Sequence, residues 1–586
     1  MKNSVIPKKI LLLQQKLIES GLDGFILPSQ DEFLGEYVPD YAKRLKWLTN
    51  FSGSNGIAVV LKTSAAFFTD GRYILQAKNE LGNYYQIHNL SEYNIGNWIL
   101  NNSTAKSKIG FDPWLHTYNQ IINLNSIIKS ANIDLIPCAN NLIDELWDDR
   151  PNKPSSIIFM HDIKYTGISF EHKIDIISKE IQKNQADALI ITVPDSLCWL
   201  LNIRGRDVPY IPLVLARAIL YQDKSIDLFI NAIESQIPLL SSVRLYNLED
   251  FEHNLSKLSG KIAEIDPRFA SWWLINKLEY YKVKILNKED PCKLPKACKN
   301  NIEIKGARES QFQDAIALCY FFAWLENNLN VGLTELNISE KILEFRKQQS
   351  DFVYPSFATI AAFAEHGAII HYQPTVNTNK KITSNNLLLI DSGGQYNCGT
   401  TDITRTVAIG TPSMKQQIHF TLVLKGHIAL ATAVFPRNTC GHQLDILARL
   451  SLWNQGLDYA HGTGHGVGSF LGVHEGPQNI STRGSNIALS PGMILSNEPG
   501  VYIENQYGIR IENLILVQEC ELLPNFLCFE TITLVPIDKR LIKLDLLTSH
   551  EVDWINGYHK QIWDKISPLI NDQIVLKWLK IAVEPI

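Results

Sequence analysis

Five side chains in the second half of the chain have types and settings that could do chemistry: Asp391, Asp402, His465, Glu498 and Glu512. Asp391 ends the apolar run 387–390, and Asp402 opens a β-like run to residue 409. The residues between them are rich in turn formers, so a hairpin-like return is predicted to bring both carboxylates to neighbouring strand positions. Glu512 lies in 508–517, read as one strand, with apolar residues on either side. A carboxylate there is costly to bury unless it is paired or bound to a metal. Glu498 follows the run 493–497 and precedes Pro499-Gly500. His465 sits in Gly462-Thr463-Gly464-His465-Gly466-Val467-Gly468, where small neighbours leave room for a ligand near the backbone. Taken singly, each has an ordinary alternative. Asp391 and Asp402 also suit turns or caps, Glu498 a solvated loop, and His465 a structural position.

Other chemistries are excluded by their motifs. The chain has no G-x-x-x-x-G-K-[ST] phosphate loop and no G-x-S-x-G nucleophile elbow. Val467 stands where a dinucleotide-binding G-x-G-x-x-G needs its third glycine. His474-Glu475 begins like a zincin H-E-x-x-H, but Gln478 occupies the second histidine's place. Nine cysteines, an odd number without a C-x-x-C pair, argue for reduced, mostly buried thiols over a disulfide framework or a structural zinc cluster. A net charge of −5, from 55 basic and 60 acidic residues, gives no electrostatic case for binding nucleic acid or an anionic membrane.

The elements that must position these side chains follow from the rest of the chain. Its 586 residues, 45% hydrophobic and 20% charged, suit several globular domains. The first half repeats itself. Asp23-Gly24-Phe25-Ile26-Leu27 returns loosely as Asp187-Ala188-Leu189-Ile190-Ile191. Trp47-Leu48-Thr49-Asn50-Phe51-Ser52-Gly53 returns as Trp199-Leu200-Leu201-Asn202-Ile203-Arg204-Gly205, with extra residues 29–44 in the first copy. Each copy reads helix, strand, tryptophan segment, which predicts two related α/β domains over 1–152 and 153–300. The polar, proline-bearing stretch 148–154 divides them. After a second linker at 288–296, Phe312, Ile316, Cys319 and Ala323 recur on one helix face. Short strands are predicted from about 353 to 535 and helices again from about 550, on Trp554, Tyr558, Trp563, Ile566 and Trp578. The third domain, 301–586, is therefore predicted as α+β and mainly antiparallel, with a helical extension from about 535. The N-terminal apolar run 10–13 is too short for a signal peptide, and no run nears the ~18 residues of a membrane span, so a soluble, cytoplasmic protein is expected.

Six segments, in this order, resemble the pita-bread metallopeptidases, the family of methionine aminopeptidase, prolidase, creatinase and aminopeptidase P. They are Gly367-Ala368-Ile369-Ile370-His371-Tyr372; Asp391-Ser392-Gly393 with Gly399-Thr400-Thr401-Asp402-Ile403-Thr404-Arg405-Thr406; and His461-Gly462-Thr463-Gly464-His465-Gly466-Val467-Gly468. Then come Val473-His474-Glu475-Gly476-Pro477, Ser496-Asn497-Glu498-Pro499-Gly500 and Gly508-Ile509-Arg510-Ile511-Glu512-Asn513. The repeated domains resemble creatinase-type N-terminal domains, which Thr69-Asp70-Gly71-Arg72-Tyr73 also fits. Trp554-Ile555-Asn556-Gly557-Tyr558-His559 resembles the C-terminal extension of the long, three-domain aminopeptidase P. One departure is His366, where relatives often carry asparagine.

This resemblance implies a metal-dependent aminopeptidase that hydrolyses the N-terminal Xaa-Pro bond of small peptides. It makes Asp391, Asp402, His465, Glu498 and Glu512 the ligands of two divalent ions. Asp402 and Glu512 would bridge, with His465 and Glu498 on one ion and Asp391 on the other. Four carboxylates and two divalent cations balance in charge. Hard oxygen donors with one imidazole suit Mn²⁺, with Co²⁺ and Zn²⁺ as alternatives. The ions would share a hydroxide as the attacking group. By the same resemblance Glu498 is the proton shuttle, and His371 and His474 stabilise the developing oxyanion. His461 and Arg510 contact substrate and organise the site. A homodimer through the C-terminal region is implied as well. The alternatives are prolidase, which cuts only Xaa-Pro dipeptides, a non-catalytic pita-bread binding module, and a creatinase-like hydrolase of small amidino compounds. The second N-terminal domain and the extension favour the aminopeptidase, and the full ligand set disfavours the binding module.

Overall fold

A computed structural model describes residues 7–231, 242–383 and 385–586, so residues 1–6 of the N-terminal reading lie outside the described residues. The chain forms two compact units. One runs up to His161 and again over Ile168–Cys292; the other comprises Asp162–Gly167 and Lys293–Ile586. The passage between them falls inside the linker read at 288–296, and a short segment beginning at Asp162 belongs with the second unit.

In the first unit the sequence repeat is a repeat of topology. The strands Gly24–Pro28, Ile57–Leu61, Ala65–Thr69, Gln86–Asn89, Lys108–Phe111 and Asp134–Pro137 lie in the order fourth, third, second, first, fifth, sixth. The strands Ala188–Ile191, Ala216–Tyr221, Ile226–Ile230, Val243–Asn247, Ile262–Ile265 and Lys284–Asn287 lie in the same order. In both sheets the first strand pairs antiparallel with the second and parallel with the fifth. Both first strands are buried along their whole length, as strands packed on both faces must be. The helix before each sixth strand, Tyr118–Ile128 or Trp272–Tyr280, starts on a side-chain cap from Thr117 or Ser271.

In the second unit every strand pair among the described residues is antiparallel. The strand Asn386–Ser392 lies between Ile360–Phe363 and Ile403–Ile409, with Asp391 opposite Ile360 and Thr404. The short hairpin of Gly394–Tyr396 and Gly399–Thr400 makes the return, and Asp402 immediately precedes Ile403–Ile409. In a separate six-stranded sheet, Gly464–Gly466 lies between Glu475–Ile480 and Ile494–Asn497, and the latter also pairs with Asn513–Glu519. The helices Ser549–Ile566 and Gln573–Ala582 form the C-terminal extension.

One expectation gives way. Residues 508–517 are not one strand. Tyr507–Arg510 pairs with Gly500–Ile503 and Asn513–Glu519 with Ile494–Asn497, leaving Ile511 and Glu512 at the change of partner. Freed from either ladder, the Glu512 N–H donates to the Thr404 carbonyl at 3.1 Å, which ties this break to the strand that follows Asp402. Short strands dominate 353–535, and the helices Met414–Ala431 and Gly441–Trp453, which the sequence pattern does not announce, lie among them. Met414–Ala431 buries Phe420, Leu422, Val423, Leu424, Ile428 and Leu430. A helix apolar on several sides shows no single stripe in its sequence.

One buried brace holds the hairpin between the two aspartates. Arg346 donates from Nε and Nη2 to the two carboxylate oxygens of Asp314, at 2.7 and 3.0 Å, and the Tyr396 hydroxyl donates to Asp314 at 2.8 Å. This joins the helices Asn301–Asn328 and Glu335–Arg346 to the strand Gly394–Tyr396. Arg346→Met strands a buried carboxylate and is expected to destabilise the second unit by about 3–5 kcal/mol. The urea midpoint of that unit's transition reads this out, and adding Asp314→Leu should recover part of the loss.

Candidate metal centre

Asp402, His465 and Glu512 each place a ligand atom within 4.8 Å of the others. His465 Nε2 lies 3.4 Å from Asp402 Oδ2 and 3.5 Å from Glu498 Oε1. Asp391 stands on the neighbouring strand, where its Oδ2 accepts from Arg510 Nη2 at 2.6 Å. Its Oδ1 is buried without a hydrogen-bond partner. Asp391, Asp402 and Glu512 are buried, whereas the side chains of Glu498 and His465 keep 17% and 22% exposure and mark the open side of the group.

Local sequence explains this closeness. A Cβ on Gly464 would collide with the Ser496 carbonyl, and one on Gly466 with the Glu475 carbonyl. The glycines around His465 therefore admit neighbouring strands, a different use from the ligand access read in the sequence. His465 Nδ1 lies 3.0 Å from the Gly466 carbonyl, which fixes the ring so that Nε2 faces the carboxylates. Thr404 donates its hydroxyl to Glu512 Oε2 at 2.7 Å and accepts from Arg510 Nε at 3.1 Å. The Ser496 hydroxyl donates to Glu498 Oε1 at 3.0 Å and accepts from the His465 N–H at 3.0 Å.

The electrostatics describe a site short of positive charge. Desolvation, then the charges of Asp402 and Glu498, push the Asp391 carboxyl up to about 6 against the pull of Arg510. Desolvation also raises Glu498, and it raises Glu512 well above the usual carboxylate range with help from Asp402, Glu498 and Asp391. For His465, burial alone would lower the imidazole, but Asp402 and Glu498 outweigh it and push it up to about 9. The imidazolium supplies a cation that four adjacent carboxylates require. The orphaned Asp391 Oδ1 and the converging oxygens of Asp402 and Glu512 fit divalent cations as the fuller answer.

The remaining predicted residues surround this group. His474 packs its ring edge-on to His465, with centroids 4.4 Å apart. His461 Nε2 lies 2.8 Å from the Tyr502 hydroxyl, which accepts from Arg510 Nη1 at 2.7 Å. Arg510 thus links His461, through Tyr502, to Asp391. His371 follows Ile370, whose carbonyl accepts from Arg510 Nη2 at 3.5 Å. Sequence reasoning missed Thr404, Ser496 and Tyr502. The first two were findable, because Thr404 lies two residues after Asp402 and Ser496 two before Glu498, where extended chain returns to the same face. Tyr502 carried no such signal, since its contact with Arg510 depends on the hairpin of Gly500–Ile503 and Tyr507–Arg510.

The chain thus runs through two sheets of one topology before an antiparallel, carboxylate-lined unit. Family models match it in order: Creatinase/Prolidase N-terminal domain over 9–146 and again over 149–303, Metallopeptidase family M24 over 305–519, and C-terminal region of peptidase M24 over 525–586. The chain belongs to metallopeptidase family M24, together with the aminopeptidase P relatives that share its length. It is 37% identical to Aminopeptidase P2 of Arabidopsis thaliana over 98% of this chain and 88% of that one. It is 37% identical to Xaa-Pro aminopeptidase 1 of Dictyostelium discoideum over 100% of this chain and 97% of that one. The crystal structure of X-prolyl aminopeptidase from Caenorhabditis elegans, described as a cytosolic enzyme with a di-nuclear active site, matches with a TM-score of 0.91 and 34% identity. That match covers 96% of this chain and 95% of the other. No helix among the described residues is long and apolar enough to cross a membrane.

The raised His465 and Asp391 predict that cation binding displaces protons. Titrating chelator-stripped protein with Mn²⁺ at pH 7, in two buffers of different protonation enthalpy, should show net proton release. Between pH 7 and 5 the apparent affinity should fall about tenfold per pH unit for each proton displaced. A pH-independent affinity would contradict this description of the site.

Proposed function

We propose that this chain is an Xaa-Pro aminopeptidase, releasing the N-terminal residue from peptides whose second residue is proline. The observation that carries the reading is the convergence of Asp402, His465 and Glu512, with Glu498 and Asp391 adjoining. Full-length similarity to proteins named Xaa-Pro aminopeptidase supports it and favours it over prolidase. Asp391, Asp402, His465, Glu498 and Glu512 would hold two divalent ions, and Mn²⁺ is our choice of metal. When bound, such ions lower the pKa of a shared water and polarise the scissile carbonyl.

The chain's own residues do the rest. Glu498, oriented by the Ser496 hydroxyl, can take up a proton and deliver it to the leaving proline nitrogen. That nitrogen carries no hydrogen in the peptide, so the site needs no acceptor for an amide N–H there. His371 and His474 donate to the carbonyl oxygen as its charge develops. Arg510 holds Asp391 and, through Tyr502, keeps His461 in place beside the substrate. Division of the chain into functional domains at 152 and 300, action in the cytoplasm and assembly as a homodimer complete the reading.

Purified, chelator-stripped protein should release free arginine from Arg-Pro-Pro only after a divalent metal is restored. Glu498→Gln should lower kcat by about 10²–10⁴-fold. Cleavage of the dipeptide Arg-Pro alone would move the assignment to prolidase. Turnover of neither peptide under Mn²⁺, Co²⁺ or Zn²⁺ would overturn the peptidase reading.

A further inference from the structure

The segment that carries His371 is held from behind by a buried carboxylate. Glu335 is the first residue of the helix Glu335–Arg346, which starts on a capping box of Thr334 and Asn337. Its side chain is fully buried. Its Oε1 accepts from the Phe363 N–H at 2.8 Å and lies 2.8 Å from His366 Nδ1. Its Oε2 accepts from the Tyr372 hydroxyl at 2.8 Å and from the Lys380 N–H at 3.0 Å. These partners use the four lone-pair directions that a carboxylate offers, and the helix N-terminus favours its charge.

The four partners come from one stretch of chain. Phe363 ends the strand Ile360–Phe363, His366 lies in the turn Ala364–Ala368, Tyr372 directly follows His371, and Lys380 lies on the return. The His366 ring stacks on Tyr372 with centroids 4.4 Å apart. Ala364, inside the clamp, stands at φ +56°, a left-handed conformation that alanine keeps only where its surroundings impose it. On the other side, the backbones of Gly367 and Gly508 meet so closely that a Cβ on Gly508 would collide with the Gly367 carbonyl. Ile370 and Tyr372, the neighbours of His371, are therefore tied in two directions, one to Arg510 and the other to Glu335.

We propose that Glu335 is a positioning residue for His371. Together with His366 and Tyr372 it fixes the backbone of 363–372 so that the His371 imidazole is presented to the substrate carbonyl. This rests on the peptidase reading above for what His371 does, but not for what Glu335 holds. A glutamine at 335 would turn an amide N–H₂ toward two of the four groups and release part of the segment. His366 needs only its one donor, which an asparagine could supply.

The test uses the full-length, metal-loaded protein with Arg-Pro-Pro. Glu335→Gln should lower kcat by about 10²-fold, as a misplaced catalytic group does, with KM nearly unchanged and metal content unaltered. In a His371→Ala background the same change should cost less than about twofold more, because the two residues act as one unit. His366→Ala should lose about tenfold, and His366→Asn should recover most of it. Hydrogen exchange followed by mass spectrometry should show faster exchange in Glu335→Gln confined to 363–372 and the Lys380 N–H. An undiminished loss in the His371→Ala background, or unchanged exchange in 363–372, would overturn the proposal. Should Glu335→Gln not fold, the His366 pair decides, and equal loss in both would count against it. Should the unaltered protein cleave no peptide, the peptidase reading fails, and the exchange experiment still decides whether Glu335 holds this segment.

Discussion

Four carboxylates, Asp391, Asp402, Glu498 and Glu512, are gathered in a group open to water only beside Glu498 and His465, and their mutual repulsion is the constraint that the second unit is built around. Desolvation and like charge raise Asp391, Glu498 and Glu512, while the nearby carboxylates draw a proton onto His465. Such a group is stable only if the scaffold holds it together and positive charge is brought to it. Arg510 provides one fixed charge at Asp391. Two divalent cations would more than offset the three negative charges that remain and would leave the His465 imidazole without need of its proton.

The scaffold meets this load with buried polar crosspieces. Arg405, next but two to Asp402, donates from Nη1 to the carbonyls of Thr404 and Glu512 at 2.9 and 2.7 Å. Its Nη2 reaches Asn513 Oδ1, the Val535 carbonyl and the Tyr558 hydroxyl at 2.8, 2.7 and 3.0 Å. One side chain thus binds the strand after Asp402, the break at Glu512 and the C-terminal helix Ser549–Ile566. The C-terminal extension is in this sense part of the site's support. The Asp314–Arg346–Tyr396 brace acts likewise on the hairpin between Asp391 and Asp402. Both devices fix backbone, and only indirectly the carboxylates themselves.

Much of this was legible in the sequence. The two-fold repeat appears as two sheets with the same strand order, because apolar strands such as 24–28 and 188–191 are dictated by short-range pattern. The five side chains stood out as polar groups beside apolar or glycine-rich runs, while their role as ligands, like the roles of His371, His461, His474 and Arg510, was implied by the resemblance. What escaped was whatever depends on three-dimensional partners. Met414–Ala431 is buried on too many sides to display a helical stripe. Glu512 looked like a residue inside one strand, but the chain changes partner there. Tyr502 and Glu335 are ordinary residues in sequence, and their meaning comes from groups far along the chain, His461 and Tyr372 among them.

The most direct test of the account is the number of divalent ions that the five-residue group holds. Metal analysis of the purified protein after Mn²⁺ loading and removal of excess should give two ions per chain. Asp402→Asn, Glu512→Gln and His465→Ala should each reduce that number without unfolding the second unit. A chain that retains no ion at micromolar metal, or whose bound metal is indifferent to all three substitutions, would contradict the claim that these carboxylates are gathered to be neutralised by cations.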